Sequence, residues 1–241
     1  MRPQHHNRHR KPCELIPSAN QTFRLVGHGD YDFVRILGES FALQSQNRID
    51  EACNLRYSAV QRLTALLPDD EEVILDFGHA NSRAALELLQ ASSTDHFLIG
   101  DFEMAAALSE ALLELDPEDH LGNITLLGWC YVALGEYELF DDTVLDIADS
   151  AAERPLLMLW SAFRQTGEIP PELLHTLADR HAPLFDEFTR DDHPADDSYL
   201  SQIDTDSPSR EAQARHLWLF TRHLWESFPD FIAALKSAKK S

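Results

Sequence analysis

Apolar residues recur every three to four positions along most of this chain, the spacing that places them on one face of an α-helix. The first such run starts near Tyr31 and consists of Phe33, Ile36, Leu37, Phe41 and Leu43. After a turn at 47–52 the pattern restarts, with Leu55, Val60, Leu63 and Leu66 on one side. Pro68 ends it, so the pattern predicts two successive helices in this region.

The same spacing predicts further helices, in pairs, from residue 83 onward. Asn81 and Ser82 precede the next helix as candidate N-caps. The stretch 71–81 is ambiguous, because Val73-Ile-Leu fits either a short helix or an extended segment. The helices predicted after it cover 83–98, 102–115, 121–134, 137–148, 155–165 and 171–180.

Three regions lack this pattern or change its character, and they set the predicted domain boundaries. Residues 1–22 are polar, with three prolines before residue 18, and are predicted to be a disordered leader. The helical domain is predicted at 23–185. Residues 186–206 are rich in Asp and Glu and are predicted to form an acidic loop or linker. Residues 207–241 are predicted to form an amphipathic C-terminal helix that caps the domain.

A short phrase occurs twice, 35 residues apart. Ile99-Gly100-Asp101-Phe102 corresponds to Leu134-Gly135-Glu136-Tyr137. An apolar residue, a glycine, an acid and an aromatic residue at this period are typical of the turn between two antiparallel helices of a stacked repeat.

The region 99–140 resembles the tetratricopeptide repeat (TPR) family and is also similar to bacterial TPR-like proteins. One unit matches the family pattern at Leu127, Gly128, Tyr131, Leu134, Gly135 and Tyr137, and the preceding unit at Gly100, Phe102, Ala105 and Pro117. The resemblance implies an all-α fold, a TPR-like right-handed solenoid of antiparallel helical hairpins with a C-terminal capping helix. It also implies a groove lined by one helix of each pair.

Carried onto this sequence, the resemblance implies a set of partner-binding residues on two groove helices. Trp129 is the expected anchor, because the matched packing positions beside it leave it pointing away from the hairpin core; the alternative is that it packs against the neighbouring unit. The full set is Glu87, Gln90, Thr94 and Phe97 on one helix, and Thr125, Trp129 and Val132 on the next.

The negative charge of the chain indicates which class of partner such a groove would bind. The formal charge is −21, and the interval 84–153 contains 16 Asp and Glu residues but no Lys or Arg. Such a surface repels nucleic acid and attracts basic proteins or peptides. The alternative is that the acidity only keeps the protein in solution or reflects a salty or high-GC host, which the low number of lysines, four of 20 basic residues, would fit.

Candidate chemistry is sparse. Three widely spaced cysteines without a C-x-x-C pair favour a reducing cytoplasm, and no apolar run is long enough to span a bilayer. His5, His6 and His9 with Cys13 are expected to bind metal only adventitiously, and 191–197 resembles a calcium loop in composition alone. No phosphate loop, nucleophile elbow or zinc-binding helix is present, so no catalytic residue, cofactor or metal is assigned.

The sequence therefore predicts a non-catalytic scaffold that offers an acidic helical-repeat groove to a protein or peptide, without membrane or nucleic-acid binding. Two alternatives stay open. One is a secretion-type or assembly chaperone that holds an export substrate in the same groove. The other is an enzyme whose site lies in 71–100 or in the acidic loop, which a deep pocket with convergent polar groups there would favour.

Overall fold

The structure, a computed structural model, describes residues 12–68 and 71–239. Over this part of the chain 69 % of the residues are helical, in twelve helices, which confirms the all-α expectation in its broad form. A small sheet, absent from that expectation, accompanies them. Among the described helices, none combines the length and the apolar character that crossing a bilayer requires.

The chain divides into two compact units. The N-terminal unit comprises Met1–Asp95 and Ala107–Asn123, and the C-terminal unit comprises His96–Ala106 and Ile124–Ser241. Each is described separately below.

The sheet lies in the N-terminal unit. Strand β1 (Cys13–Pro17) pairs antiparallel with β2 (Thr22–Gly27), and β2 pairs in parallel with the two-residue β3 (Ile74–Leu75). The prediction of a disordered leader is therefore wrong for residues 13–22, while residues 1–11, with His5, His6 and His9, lie outside the described part. Of the two readings of 71–81, the extended one holds at β3, because pairing with β2 supplies the hydrogen bonds that a lone segment lacks.

Four helices complete the N-terminal unit, two of them only in part. Helices α1 (Phe33–Ser45) and α2 (Ile49–Thr64) form the predicted first pair. Helices α3 (Ala80–Leu98) and α4 (Phe102–Leu115) follow, and Ser93 Oγ lies 2.8 Å from Ser109 Oγ between them.

Asn81 and Ser82 do not cap α3 as predicted, since α3 begins before them and their side chains are used elsewhere. The amide oxygen of Asn81 accepts from the backbone N–H of Phe33 (2.7 Å), and its nitrogen donates to the carbonyls of Leu25 and Tyr31. Ser82 Oγ accepts from the N–H of Leu25 at 2.9 Å. These two buried polar residues therefore tie β2 and the start of α1 to α3.

Helices are the only regular secondary structure of the C-terminal unit over its described residues. The helices that lie wholly within it are α5 (Ile124–Leu134), α6 (Tyr137–Asp146), α7 (Glu153–Thr166), α8 (Pro171–Arg180), α9 (Ala182–Thr189), α10 (Asp197–Ile203), α11 (Arg210–Ser227) and α12 (Pro229–Ala238). Helix α5 packs against α6 and α7, and α7 against α8; further along, α11 packs against α9, α10 and α12.

The two predicted glycine turns have the same geometry. Gly100 (φ +81°) and Gly135 (φ +83°) take the left-handed conformation, which glycine adopts without the steric cost of a Cβ atom. Asp101 donates its N–H to the carbonyl of His96, and Glu136 donates to Tyr131, which is the hydrogen bond of a Schellman C-cap in both turns. The recurring phrase thus specifies one local structure twice.

The acidic loop and the capping helix differ from their predictions. Residues 186–206 include the end of α9 and all of α10, whose first turn is capped by Asp196 accepting from the N–H of Tyr199 at 2.9 Å. Over residues 207–239 of the predicted capping helix 207–241, the chain forms two helices rather than one, because Pro229 cannot continue α11 and starts α12 instead.

Candidate functional site

The predicted groove residues of α3 in the N-terminal unit are half-buried. Glu87 lies 3.7 Å from Arg83 on the same helix, and Gln90 donates its side-chain N–H to the carbonyl of Leu121 at 2.8 Å. Thr94 is partly exposed. The amide of Gln90 is therefore engaged within the unit, and Glu87 and Thr94 are the members of this group with exposed surface to offer.

The remaining predicted residues belong to the C-terminal unit, and three of them are part of its core. Phe97, Trp129 and Val132 are at most 1 % exposed, so assigning them to a partner-binding surface is wrong. Thr125 is half-buried. Because a fully buried side chain has no surface to offer, these three residues stabilise the fold instead.

Helix α11 covers two of these residues. Phe97 stacks on Phe220 at 5.2 Å between ring centroids, and it meets His223 edge-on at 4.7 Å. Trp129 meets Trp225 edge-on at 5.8 Å. At Phe97 and Trp129, two of the residues that the resemblance assigns to a partner, the contact is thus made by a helix of the same chain.

All four tryptophans of the protein join one aromatic cluster in this unit. Trp160 of α7 lies 5.7 Å from Trp129 and 5.2 Å from Trp225, and Trp218 stacks at 6.5 Å on Trp225. Offset and edge-to-face pairs at these distances are favourable beyond the area they bury. Helix α11 is therefore an integral part of the core of the unit, and the alternative reading of Trp129, packing against its neighbours, is the one the structure supports.

A cavity of about 750 Å³ lies in the C-terminal unit beside the acidic segment. Glu187, 5 % exposed, forms its most buried charged group. Its carboxylate accepts from Nε and, at 3.0 Å, from Nη2 of Arg215, and lies 2.7 Å from Nδ1 of His193. Polar side chains therefore converge beside this cavity, and such convergence is the feature that would favour an enzyme.

The electrostatics of Glu187, Arg215 and His193 indicate that Glu187 is a structural ion-pair partner rather than a catalytic base. Burial by itself would raise the pKa of Glu187, but the hydrogen bonds from Arg215 and His193 outweigh it and hold that pKa below its ordinary value. Arg215 also donates to the carbonyl of Pro194, and His193 stacks on Trp218 at 3.8 Å. The ion pair thus fastens residues 193–194 to α9 and α11. The carboxylate of Glu187 also accepts from Arg190 at 3.4 Å and is therefore already committed to three partners.

Residues 191–197 have the composition of a calcium loop, but two of their carboxylates make other contacts. Asp191 pairs with Lys236 at 2.8 Å, and Asp196 caps α10. Within the described residues no group of three or more His, Cys, Asp or Glu side chains is arranged to hold a metal ion. The described contacts of this segment therefore stabilise the local fold, through one ion pair and one helix cap.

The outward side of α6 has a different character, and it is called the acidic face of α6 here. Leu139 and Leu145 are 47 % and 70 % exposed, although both are large and apolar. The opposite side of the helix is buried through Phe140, Thr143 and Val144. Around the two leucines stand four exposed acids: Glu138, Asp141, Asp142 and Asp146.

This face is strongly negative. Over the part of the chain that the structure describes, none of its four carboxylates forms an ion pair, and the interval 84–153 that contains it has no Lys or Arg. Apolar side chains surrounded by one sign of charge are the arrangement of a binding patch with a charged rim. Sequence reasoning missed this face, although the two leucines falling on the polar side of α6 were a visible signal.

Neither a family model, nor a curated protein, nor a solved structure matches this chain.

Proposed function

We propose that this protein is a non-catalytic interaction module whose helical hairpins stack in a TPR-like manner and whose acidic surface binds a basic protein segment. The observation that carries the proposal is the acidic face of α6, where Leu139 and Leu145 are exposed among four carboxylates that form no ion pair with any described residue. The binding surface is thereby moved from the expected groove to the outer side of a hairpin.

Three features support the TPR-like part of the proposal. The Gly100 and Gly135 turns share one geometry, as a repeat requires. Position 128 lies against the neighbouring elements, since a Cβ atom there would be at ordinary contact distance, 3.4 Å from Leu157 and 3.5 Å from Ile147. Helix α11 contacts α3, α5 and α7, which are the first helices of successive pairs, at Phe97, Trp129 and Trp160. A helix of the chain itself would thus take the place that a groove ligand takes in a TPR domain.

Charge selects the partner class. Four carboxylates on one short helix face repel nucleic acid and acidic proteins, and attract Lys and Arg side chains. Each exposed ion pair contributes little, about 0–1 kcal/mol. Burying Leu145 contributes about 1–2 kcal/mol, so affinity should depend on the leucines and partner choice on the acids. The matching ligand is an amphipathic helix with a leucine stripe and basic flanks.

Binding of a designed peptide tests this proposal. The probe is a fluorescein-labelled amphipathic helix with leucines on one side and Lys or Arg beside them, and the measurement is fluorescence anisotropy with the full-length protein. We expect Leu145→Ser to weaken binding roughly 5- to 30-fold, in line with the apolar area it removes. We expect the double variant with Asp141→Lys and Asp142→Lys to bind the peptide more weakly as well. Its affinity should also depend less on salt concentration than that of the unmodified protein.

Matched controls separate a site from general attraction to an acidic protein. Glu168→Lys with Glu172→Lys makes the same change of charge at exposed positions of the same unit, and Leu200→Ser removes a leucine that is 48 % exposed on α10. Both controls should leave the affinity within about twofold. If the α6 variants and the controls lose the same affinity for the peptide, the peptide responds to net charge alone. That result would refute the acidic face of α6 as the binding site.

A further inference from the structure

Another cavity of the C-terminal unit, about 320 Å³ in volume, lies where helices α7, α9 and α11 begin, and it is called the arginine cavity here. Arg180 at the end of α8 and Arg210 at the start of α11 both line it, together with His181 between α8 and α9. Three basic side chains from two separate segments therefore meet at one cavity, in a protein whose formal charge is −21.

The two arginines of this cavity have no acidic partner. Within the described residues, neither guanidinium group forms an ion pair or a hydrogen bond, whereas Arg154, Arg215 and Arg222 of the same unit each pair with a carboxylate. Asp and Glu outnumber Lys and Arg by 41 to 20 in this chain, so pairing is the expected state of an arginine. Two arginines without a partner at one cavity are therefore available to an anion from outside the chain.

The electrostatics of His181 indicate that the charged groups of the cavity lie close together. Burial lowers the pKa of His181 below its ordinary value. The charges of Arg210 and Arg180 also lower that pKa, whereas the carboxylate of Glu153 raises it. Two guanidinium groups and one carboxylate line the cavity, so the net charge of its lining is +1 while His181 is neutral. The positive ends of the α7 and α11 dipoles add to this charge.

The remaining lining limits the kind of anion that fits. Leu184, which is buried, and Leu217 supply apolar surface beside the basic groups. The volume lies at the lower end of the range of small-molecule pockets, which is about 300–1,000 Å³. Planar guanidinium groups bind carboxylate and phosphate oxygens in pairs. A matching ligand therefore carries one such oxyanion on a small apolar body.

We propose that the arginine cavity binds a small organic anion, with its carboxylate or phosphate group held by Arg180 and Arg210 and its apolar body packed against the two leucines. The bound oxyanion offsets the repulsion between the two guanidinium groups, which the single carboxylate of Glu153 offsets only in part. The cavity shares no residue with the acidic face of α6. The proposal therefore goes beyond the proposed function and does not depend on it.

Isothermal titration calorimetry of the full-length protein at constant ionic strength tests this site. The probes are phenyl phosphate, benzoate and inorganic phosphate. We expect phenyl phosphate, benzoate or both to bind with a dissociation constant of about 0.1–1 mM, and the tighter of the two identifies the oxyanion. Inorganic phosphate lacks the apolar body and should bind at least about fivefold more weakly than the tighter organic probe.

Three variants with opposite expectations connect the binding to the cavity. Arg180→Gln and Arg210→Gln each remove one guanidinium group, and each should raise the dissociation constant at least about fivefold. Glu153→Gln removes the carboxylate that competes with the ligand, and it should lower the dissociation constant about two- to threefold. The matched control is Arg222→Gln, which makes the same change of charge at an exposed position of α11 outside the cavity. It should leave the affinity within about twofold.

Melting temperatures without probe show whether the variants are folded. Arg180 and Arg210 are exposed, so their replacement should shift the melting temperature by less than about 2 °C. The proposal is overturned if none of the three probes binds, or if inorganic phosphate binds as tightly as both organic probes. It is also overturned if folded Arg180→Gln and Arg210→Gln proteins keep their affinity, or if Arg222→Gln weakens binding as much as they do.

Discussion

Replacing Trp129 with alanine distinguishes a core residue from a groove residue by the size of its effect. Trp129 is 1 % exposed and contacts Trp160 and Trp225 at 5.7 and 5.8 Å between ring centroids. Truncating a buried Trp removes its transfer free energy and leaves a cavity, which together cost about 3–5 kcal/mol. The two aromatic pairs account for about 0.5–1.5 kcal/mol each within that figure. We therefore expect the free energy of unfolding to fall by about 3–5 kcal/mol.

Urea denaturation followed by tryptophan fluorescence measures this loss directly. All four tryptophans lie in the C-terminal unit, so the three that remain in the variant report on the unfolding of that unit. Leu145→Ala on the exposed side of α6 is the control, and it should change the free energy of unfolding by less than about 0.5 kcal/mol.

A loss below about 1 kcal/mol for Trp129→Ala would refute the packing of α11 on α5, because a buried Trp cannot be truncated at so small a cost. Trp129 would then be a surface residue, and the expected groove would again be the place to look for a partner. A loss of the expected size with an unchanged affinity for the amphipathic peptide would support both the core role of Trp129 and the move of the binding surface to α6.

Two further predictions concern charged groups of the C-terminal unit. Glu187→Ala leaves the guanidinium of Arg215 buried without its carboxylate, and it should cost about 3–5 kcal/mol in urea denaturation; a loss below about 1 kcal/mol would contradict the anchoring role of the pair. Burial lowers the pKa of His223 below its ordinary value of 6.5, so the folded state binds fewer protons than the unfolded chain, and stability should fall as the pH drops through 6.5. His223→Phe should flatten the fall of the melting temperature between about pH 7 and pH 5, and an unchanged slope would exclude His223 as its source.

The helices were predictable because the forces that form them are local. The three-to-four spacing of apolar residues led to the hairpins between 83 and 180, and their ends came within a few residues of the observed ones. Gly100 and Gly135 marked two turns correctly, since a left-handed residue at a helix end favours glycine wherever the helix lies in a fold.

The small sheet was not predictable in the same way. Residues 13–17 form a run of only five residues that ends in proline, and they become a strand only through pairing with 23–27. Strand β3 depends on contacts with residues about 50 positions earlier in the chain. The same applies to the acidic segment, where the pair of Glu187 and Arg215, 28 residues apart, holds 193–194 against α11.

By itself, the sequence determined that the chain is mostly helical, where most helices turn, and that its middle is acidic, because local spacing, glycine stereochemistry and charge count need no knowledge of distant contacts. Only the tertiary structure decided which apolar side chains are buried. Trp129 is in the core because Trp225, almost a hundred residues later, covers it, while Phe41, Leu139 and Leu145 have exposed surface because the neighbouring elements do not fully cover them. Burial is a property of how elements pack together, and that is why the candidate binding surface lies on α6.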